Sequence, residues 1–250
     1  MKIFISFQRK LSTTILIFFV SFITICAQKG YKNSPPEVIN LFNKSQSYYS
    51  INDEIINGCV YPLPDSRIKG YPYLDDQWTE AILFVNNKKY TNLLIKYDLT
   101  IDDIILKTEI ENGIQKLVNL NKFQIDSFLV GNSLFINSRI FPHEEKTHTY
   151  YEQIYRGKYS LFKKYEKVFI KKYNIITPYG NYSNLRTDIY LFDNKKLNIV
   201  NRKSLFIKCF ENEKHNEIKY FMKKNNIKYR KASQIQLKGL MNYCSKLITL

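Results

Sequence analysis

The pattern of apolar and polar positions changes several times along the chain, and each change predicts a different kind of structure. Leu11 to Ala27 is an uncharged, largely apolar run preceded by Lys2, Arg9 and Lys10. That is the layout of an export signal, and the run is short and hydroxyl-rich for a membrane span, which needs about 20 mostly apolar residues. Cleavage is expected after Ala27, with an uncleaved N-terminal anchor as the alternative. Ile25, where a small residue is preferred, argues against lipid attachment at Cys26. Ser34-Pro35-Pro36-Glu37 then supplies an N-cap, a proline at the first helical position and a capping-box glutamate ahead of Val38, Leu41 and Phe42. This predicts a short N-terminal helix.

Past a proline- and glycine-punctuated loop from Gly58 to Pro72, the apolar period becomes that of strands. Thr79 to Val85 reads as a buried strand, Asn86-Asn87-Lys88 as a turn, and Tyr90 to Tyr97 as the antiparallel partner, with Thr91, Leu93, Ile95 and Tyr97 sharing one face. Further runs follow at Ile104 to Lys107, Ile114 to Leu120, Ile125 to Val130 and Leu134 to Ile136. Glu111-Asn112-Gly113 and Gly131-Asn132 provide the turn chemistry between them. The stretch YSLFKKYEKVFIKKY fits either a helix face or a strand face, and the turn residues Arg156-Gly157-Lys158 before it favour strand. Ile189 to Phe192 and Leu197 to Val200 flank Asp193-Asn194 as a hairpin.

In the tail the period returns to that of a helix, first at Ile218, Phe221 and Met222. A second capping box, Ser233 with Gln236, precedes Leu237, Leu240, Met241, Cys244, Leu247 and Ile248. The predicted fold class is therefore α+β: mainly an antiparallel β meander of about nine strands, curled into a sandwich or partial barrel. It carries a short N-terminal helix and a C-terminal helical pair. The expected organisation is a signal peptide over 1–27, a mainly β domain with the N-terminal helix over 28–200, and a basic helical segment over 201–250 docked on it.

Charge changes this picture. The formal net charge is +16, yet residues 28–150 carry 13 basic and 15 acidic side chains, whereas residues 151–250 carry 22 basic and 7 acidic, a net of +15. Such a field attracts phosphate-bearing or otherwise anionic surfaces. Lysine outnumbers arginine 31 to 7, which is also what an AT-rich coding bias yields. A dedicated phosphate reader leans instead on arginine for its bidentate fork. After removal of the signal an odd number of cysteines is left, Cys59, Cys209 and Cys244, so no disulfide framework can be read; one bridge between Cys209 and Cys244 is compatible with an oxidising compartment.

Few residues suggest chemistry. Asp75, Asp76 and Glu80 beside Trp78, Tyr71 and Tyr73 are the residue types of a glycosidase, in which two carboxylates act on a stacked sugar. The simpler reading of KGYPYLDDQWTEAILFVNN is a turn held by its aspartates, with Trp78 anchoring the strand that follows. His143 and His148 are five apart beside Pro142, which does not match the four-residue spacing of a zinc-binding helix, and no metal site is expected. No glycine-rich phosphate loop or nucleophile elbow occurs, so neither a cofactor site nor a catalytic residue is assigned. The candidate contact surface is the Pro178 to Tyr182 loop, with Tyr179, Tyr182 and Arg186 beside Lys163, Lys164, Lys171 and Lys172. Aromatics beside cations suit an anionic glycan or lipid headgroup.

The motifs GYPYLDDQWTEAILF, LLIKYDLTIDDIIL, YYEQIYRGKYSLFKKY, IYLFDNKKLNIVNRKSL and EIKYFMKKNNIKYRKASQIQLKGLMNYC, over roughly residues 60–245, resemble in this order a family of exported, signal-peptide-bearing proteins of AT-rich Gram-negative bacteria. Those motifs consist of turn and strand residues. The resemblance implies export and one β-plus-helical unit, and brings no activity, cofactor or site residue with it. The expected function is that of a non-enzymatic, envelope-associated binding or accessory protein in the periplasm or envelope. Its basic C-terminal surface would contact anionic lipid, glycan or another envelope protein rather than nucleic acid. The alternative is an envelope glycan hydrolase using the carboxylates Asp75, Asp76 or Glu80.

Overall fold

Alternating apolar residues and Asn- or Gly-rich turns produce thirteen strands among the residues that the computed structural model describes, which are 58–110, 114–142 and 148–249. The expected export signal, the expected helix after Ser34, the expected turn at Glu111-Asn112-Gly113 and the His143 to Thr147 segment lie outside these residues. The strands are β1 (Cys59–Val60), β2 (Thr79–Val85), β3 (Lys88–Asp98), β4 (Asp103–Ile110), β5 (Ile114–Asn119), β6 (Ile125–Val130) and β7 (Ser133–Asn137), followed by β8 (Tyr150–Tyr155), β9 (Ser160–Glu166), β10 (Phe169–Ile170), β11 (Asn181–Tyr182), β12 (Arg186–Phe192) and β13 (Leu197–Ile199). Three α-helices close the chain: α1 (Lys203–Lys208), α2 (His215–Lys224) and α3 (Gln234–Thr249). Among the described residues no helix is long and apolar enough to cross a membrane.

Eleven strands form one antiparallel, unclosed sheet in the order β1-β5-β4-β3-β2-β6-β7-β8-β9-β12-β13, and β10 with β11 form a separate two-stranded ribbon. The α+β class and the antiparallel meander agree with the sequence. The strand count is higher than about nine, because β1, β10 and β11 are two-residue strands too short to show a period. The helical pair is a trio, since α1 is six residues long and shows too little of a face to be read. The run YSLFKKYEKVFIKKY is strand as expected, but it breaks at Lys167 and Val168 between β9 and β10.

The sheet is strongly curled. Tyr97 of β3 and Tyr150 of β8 are four strands apart, about 19 Å in a flat sheet, yet their rings meet edge-to-face at 5.8 Å. Tyr97 also meets Phe128 of β6 at 5.4 Å and Phe135 of β7 at 5.6 Å. Phe128 and Phe135 stack on one another at 4.6 Å. Three bulges produce the bend, because an extra residue on one strand increases local twist. In β3, Thr91 and Asn92 lie opposite the single residue Ile82, and Asn92 takes the left-handed conformation at φ 58. This bulge takes Thr91 out of step, so that only Leu93, Ile95 and Tyr97 share the buried face. The other register shifts fall at Asp126 in β6 and Ile154 in β8.

The inner face of the curl continues beneath the helices. Ile154, Leu161, Ile189 and Leu191 from β8, β9 and β12 form one core with Phe206, Ile218, Met222, Leu237, Leu240, Met241 and Cys244. The predicted capping box of α3 is complete: Ser233 N–H donates to Gln236 Oε1 at 3.0 Å, and Gln236 N–H to Ser233 Oγ at 3.2 Å. Cys209 and Cys244 are separate reduced thiols. Burial pushes the Cys244 thiol up to about 12, so it is inert as a nucleophile at neutral pH.

Two predictions follow from this core. Phe128→Ala, which removes a fully buried ring from the inner face, is expected to cost about 3–5 kcal/mol, read as a shift of the urea unfolding midpoint. Burial raises the pKa of Tyr61, Tyr97, Tyr150, Tyr165 and Tyr229 above the ordinary phenol value. The unfolded chain therefore releases these protons at about pH 10 while the folded chain keeps them. Their contribution to stability should be constant below that pH and fall as pH rises through it. Unfolding midpoints at pH 8 and 11 check the direction, and a phenolate absorbance titration should show fewer tyrosines ionising in the native than in the denatured protein.

Candidate functional site

The stretch holding Trp78 is used structurally. Asp75 Oδ1 accepts the Gln77 N–H at 3.0 Å and closes its own turn, while Asp76 pairs with Lys96 Nζ at 3.1 Å. Trp78 packs beside Tyr61, Tyr73, Ile105 and Leu117, and the Lys96 ammonium lies 5.3 Å from its ring centroid. Glu80 lines a shallow groove of about 590 Å³ with Thr79, Ala81, Ile82, Thr91, Asn92, Leu129 and Gly131. It is the one ionisable group there, whereas glycoside hydrolysis needs two carboxyl groups across one bond.

Three buried charged groups have their bonding capacity taken up. Lys167, at the break after β9, donates to the carbonyls of Tyr71 at 3.1 Å and Tyr73 at 2.7 Å, and stands 3.7 Å from the Tyr71 ring centroid. Burial lowers its pKa, partly offset by Asp76 and Asp98. With its donors aimed at carbonyls and a ring face, this ammonium acts as a clamp on the 71–73 segment. Asp98, also buried, accepts from Tyr61 Oη at 2.6 Å and from Thr100 N–H and Oγ1 at 2.8 and 2.7 Å. Glu152 accepts from Ser133 Oγ and Tyr165 Oη, each at 2.5 Å, and lies 3.4 Å from Gln234 Nε2 of α3. Among the described residues no cluster of three or more His, Cys, Asp or Glu side chains could hold a metal ion.

The seven residues of the expected contact surface are dispersed. Lys163 and Lys164 are consecutive in β9, so they point to opposite faces of the sheet, and both are half-buried. Arg186 is ion-paired with Asp188 at 2.9 Å and Glu166 at 3.5 Å. Tyr182 is half-buried against Phe169, with ring centroids 5.5 Å apart. Tyr179 is exposed beneath the Arg67 guanidinium, 4.1 Å from its ring centroid. Lys171 and Lys172 are exposed on the same loop as Tyr179. Only these last three remain together, exposed on one loop.

A more concentrated basic site lies on the helices. Ile218 and Met222 of α2 are buried one turn apart, which turns Lys219, Tyr220 and Lys223 outward. The helix ends in a Schellman motif: Ile227 N–H donates to Met222 O at 2.9 Å and Asn226 N–H to Lys223 O at 3.2 Å, with Asn226 left-handed at φ 50. Met222 and Ile227 supply the apolar contact that accompanies this motif, and the reversal carries Lys228 back beside α2. With Lys203 from α1 they line a groove of about 450 Å³ that has an apolar floor and a rim of Lys203, Lys219, Lys223, Lys228 and Tyr220.

No carboxylate is among the groove's lining residues. From Ile218 to Leu250 the chain has eight Lys or Arg and no Asp or Glu. Four ammonium groups gathered without a counter-charge repel one another, and an anion placed among them relieves that repulsion. The lysine spacing on α2 was visible in the sequence as a solvent-facing stripe. The contribution of α1 was not, because it depends on how α1 packs.

Lys167→Met is expected to leave the carbonyls of Tyr71 and Tyr73 without their donor and to cost about 1–3 kcal/mol, read as a lower unfolding midpoint. Compared with protein-family models, with curated proteins and with solved structures, the chain matches none of them.

Proposed function

We propose that this chain is an exported, non-enzymatic binding protein that holds an anionic surface or polymer of the cell envelope in the groove between α1 and α2. The observation that carries this reading is the convergence of Lys203, Lys219, Lys223 and Lys228 around the apolar floor of Met222 and Ile227 with no lining carboxylate. Exposed Tyr220 on the rim adds a stacking or hydrogen-bonding surface. Lysine is a strongly hydrated point charge, and a cluster of lysines suits diffuse polyanion binding better than bidentate readout of one group. The layout of residues 1–27 supports placing this activity outside the cytoplasm.

Titration with inorganic polyphosphate tests the groove. Binding should weaken steeply as salt is raised and the Debye length shortens. At about 1 kcal/mol for each lysine near an anionic surface, Lys219→Glu with Lys223→Glu should weaken it more than roughly tenfold. Affinity unchanged by salt or by the charge reversal would overturn the reading. The mass of the protein recovered from fractionated cells tests export: it should lack residues 1–27, and a full-length soluble protein would rule export out.

A further inference from the structure

The β10–β11 ribbon carries a loop, residues 171–180, whose apolar side chains are turned outward. Ile175 is fully exposed at 101 % and Ile176 is 78 % exposed, flanked by Tyr173 at 62 % and Tyr179 at 43 %. Folding normally buries isoleucine, and an exposed apolar cluster of this kind at a loop tip marks a contact site. The loop is built to hold this geometry. Asn174 Oδ1 accepts the N–H groups of Ile176 at 2.8 Å and Thr177 at 2.9 Å, and Asn174 N–H reaches Thr177 O at 3.3 Å. Thr177 Oγ1 donates to Lys172 O at 3.2 Å and Gly180 N–H to Thr177 O at 3.1 Å.

The base of the loop is equally fixed. Phe169 packs on Tyr182, and Tyr182 N–H donates to Lys69 O at 3.0 Å. Gly180 has φ 83, and a Cβ there would lie 2.7 Å from the Phe169 ring and 2.9 Å from Ile170 O, so no other residue fits without displacing the ribbon. The two isoleucines are therefore presented by a preorganised turn.

We infer that this loop inserts into the headgroup and upper acyl region of an anionic phospholipid bilayer. Three features favour lipid over a protein partner. Tyr173 and Tyr179 beside the tip have the amphipathic character of residues at a membrane interface. Lys171 and Lys172 are exposed on the loop, from Lys167 to Thr187 the chain contains no Asp or Glu, and Asp65, which reaches the loop through Arg67 above Tyr179, is neutralised by that guanidinium. The internal bonding of Asn174, Ile176, Thr177 and Gly180, with Pro178 lacking an N–H, suits a medium where backbone groups find little water. The loop combines an apolar contribution from Ile175 and Ile176 with a cationic one from Lys171 and Lys172. This contact is separate from the lysine groove in element and in chemistry, and it stands or falls without it.

The test uses vesicles of phosphatidylcholine alone and of phosphatidylcholine with phosphatidylglycerol. Three proteins are compared: the wild type, Ile175→Ser with Ile176→Ser, and the groove variant Lys219→Glu with Lys223→Glu. A fourth, Ile176→Trp, reports on the loop itself, since a brominated acyl chain quenches only a tryptophan that enters the bilayer. The wild type should cosediment with the phosphatidylglycerol vesicles, and the serine pair should bind roughly tenfold more weakly or less. The Ile176→Trp emission should shift to the blue and be quenched, beyond the contribution of Trp78. Lys219→Glu with Lys223→Glu introduced into the Ile176→Trp chain should keep that quenching, which separates this inference from the groove reading. A wild type that does not cosediment, or an Ile176→Trp chain that cosediments unquenched, overturns the inference. So does a serine pair that binds as the wild type does, or one that instead converts a dimer to a monomer, which would make a second copy the occupant. Unchanged far-UV circular dichroism shows that the serine pair is folded.

Discussion

Contact between aromatic rings from strands far apart in the sheet is the constraint from which the rest of the architecture follows. Tyr97, Phe128, Phe135 and Tyr150 come from β3, β6, β7 and β8; Phe128 and Phe135 are cross-strand partners, and the edge-to-face contacts of Tyr97 with Phe135 and Tyr150, three and four strands away, exist only if the sheet bends through those strands. Ring pairs in such geometries add about 0.5–1.5 kcal/mol each beyond the area they bury. The bulge at Asn92 and the extra residues at Asp126 and Ile154 permit the bend locally. The curl then sets the rim on which the remaining parts are mounted.

At that rim the segment from Lys69 to Gln77 works as a strap. It bonds to β3 and its following turn through Leu74 N–H to Tyr97 O and Leu99 N–H to Pro72 O. It meets the β10–β11 ribbon through Lys69, and it is gripped from the end of β9 by Lys167. The acidic and aromatic residues that suggested chemistry in this stretch serve the strap. A buried ammonium requires compensation, and here it is compensated by carbonyls, a ring face and the nearby Asp98 rather than by one ion pair.

Charge is arranged differently on the sheet and on the helices. In the sheet region Lys96, Lys122, Arg139 and Arg186 each sit against a carboxylate. Lys214 on the helical side pairs with Glu217, and beyond that residue the chain offers no acid. Four lysines with no lining carboxylate therefore gather in the groove beside α2, which is the physical basis for the proposed polyanion-binding role. The apolar tip of the β10–β11 loop would add a contact of another kind, in which burial of Ile175 and Ile176 joins the charge of Lys171 and Lys172.

Much of the fold was legible because it depends on local pattern. Strands β2 to β9, the hairpin of β12 and β13, and the helices α2 and α3 follow from periodicity, turn residues and one capping box, all local in sequence. Two-residue strands and the six-residue α1 were not legible, since so few residues show no period and form only against partners distant in the chain. The candidate surface was legible only in part. Exposed Tyr179, Lys171 and Lys172 stay together because one loop holds them, whereas Lys163 and Lys164 separate by strand alternation and Arg186 is claimed by carboxylates brought near by β9 and by its own strand. By itself, then, the sequence determined the α+β class, the antiparallel pairing of neighbouring strands and the basic character of the tail, because each is written in short-range pattern or composition. The tertiary structure alone decided the curl, the fate of each charge and the assembly of the lysine groove, because these depend on which residues far apart in the chain are brought within a few ångströms of one another.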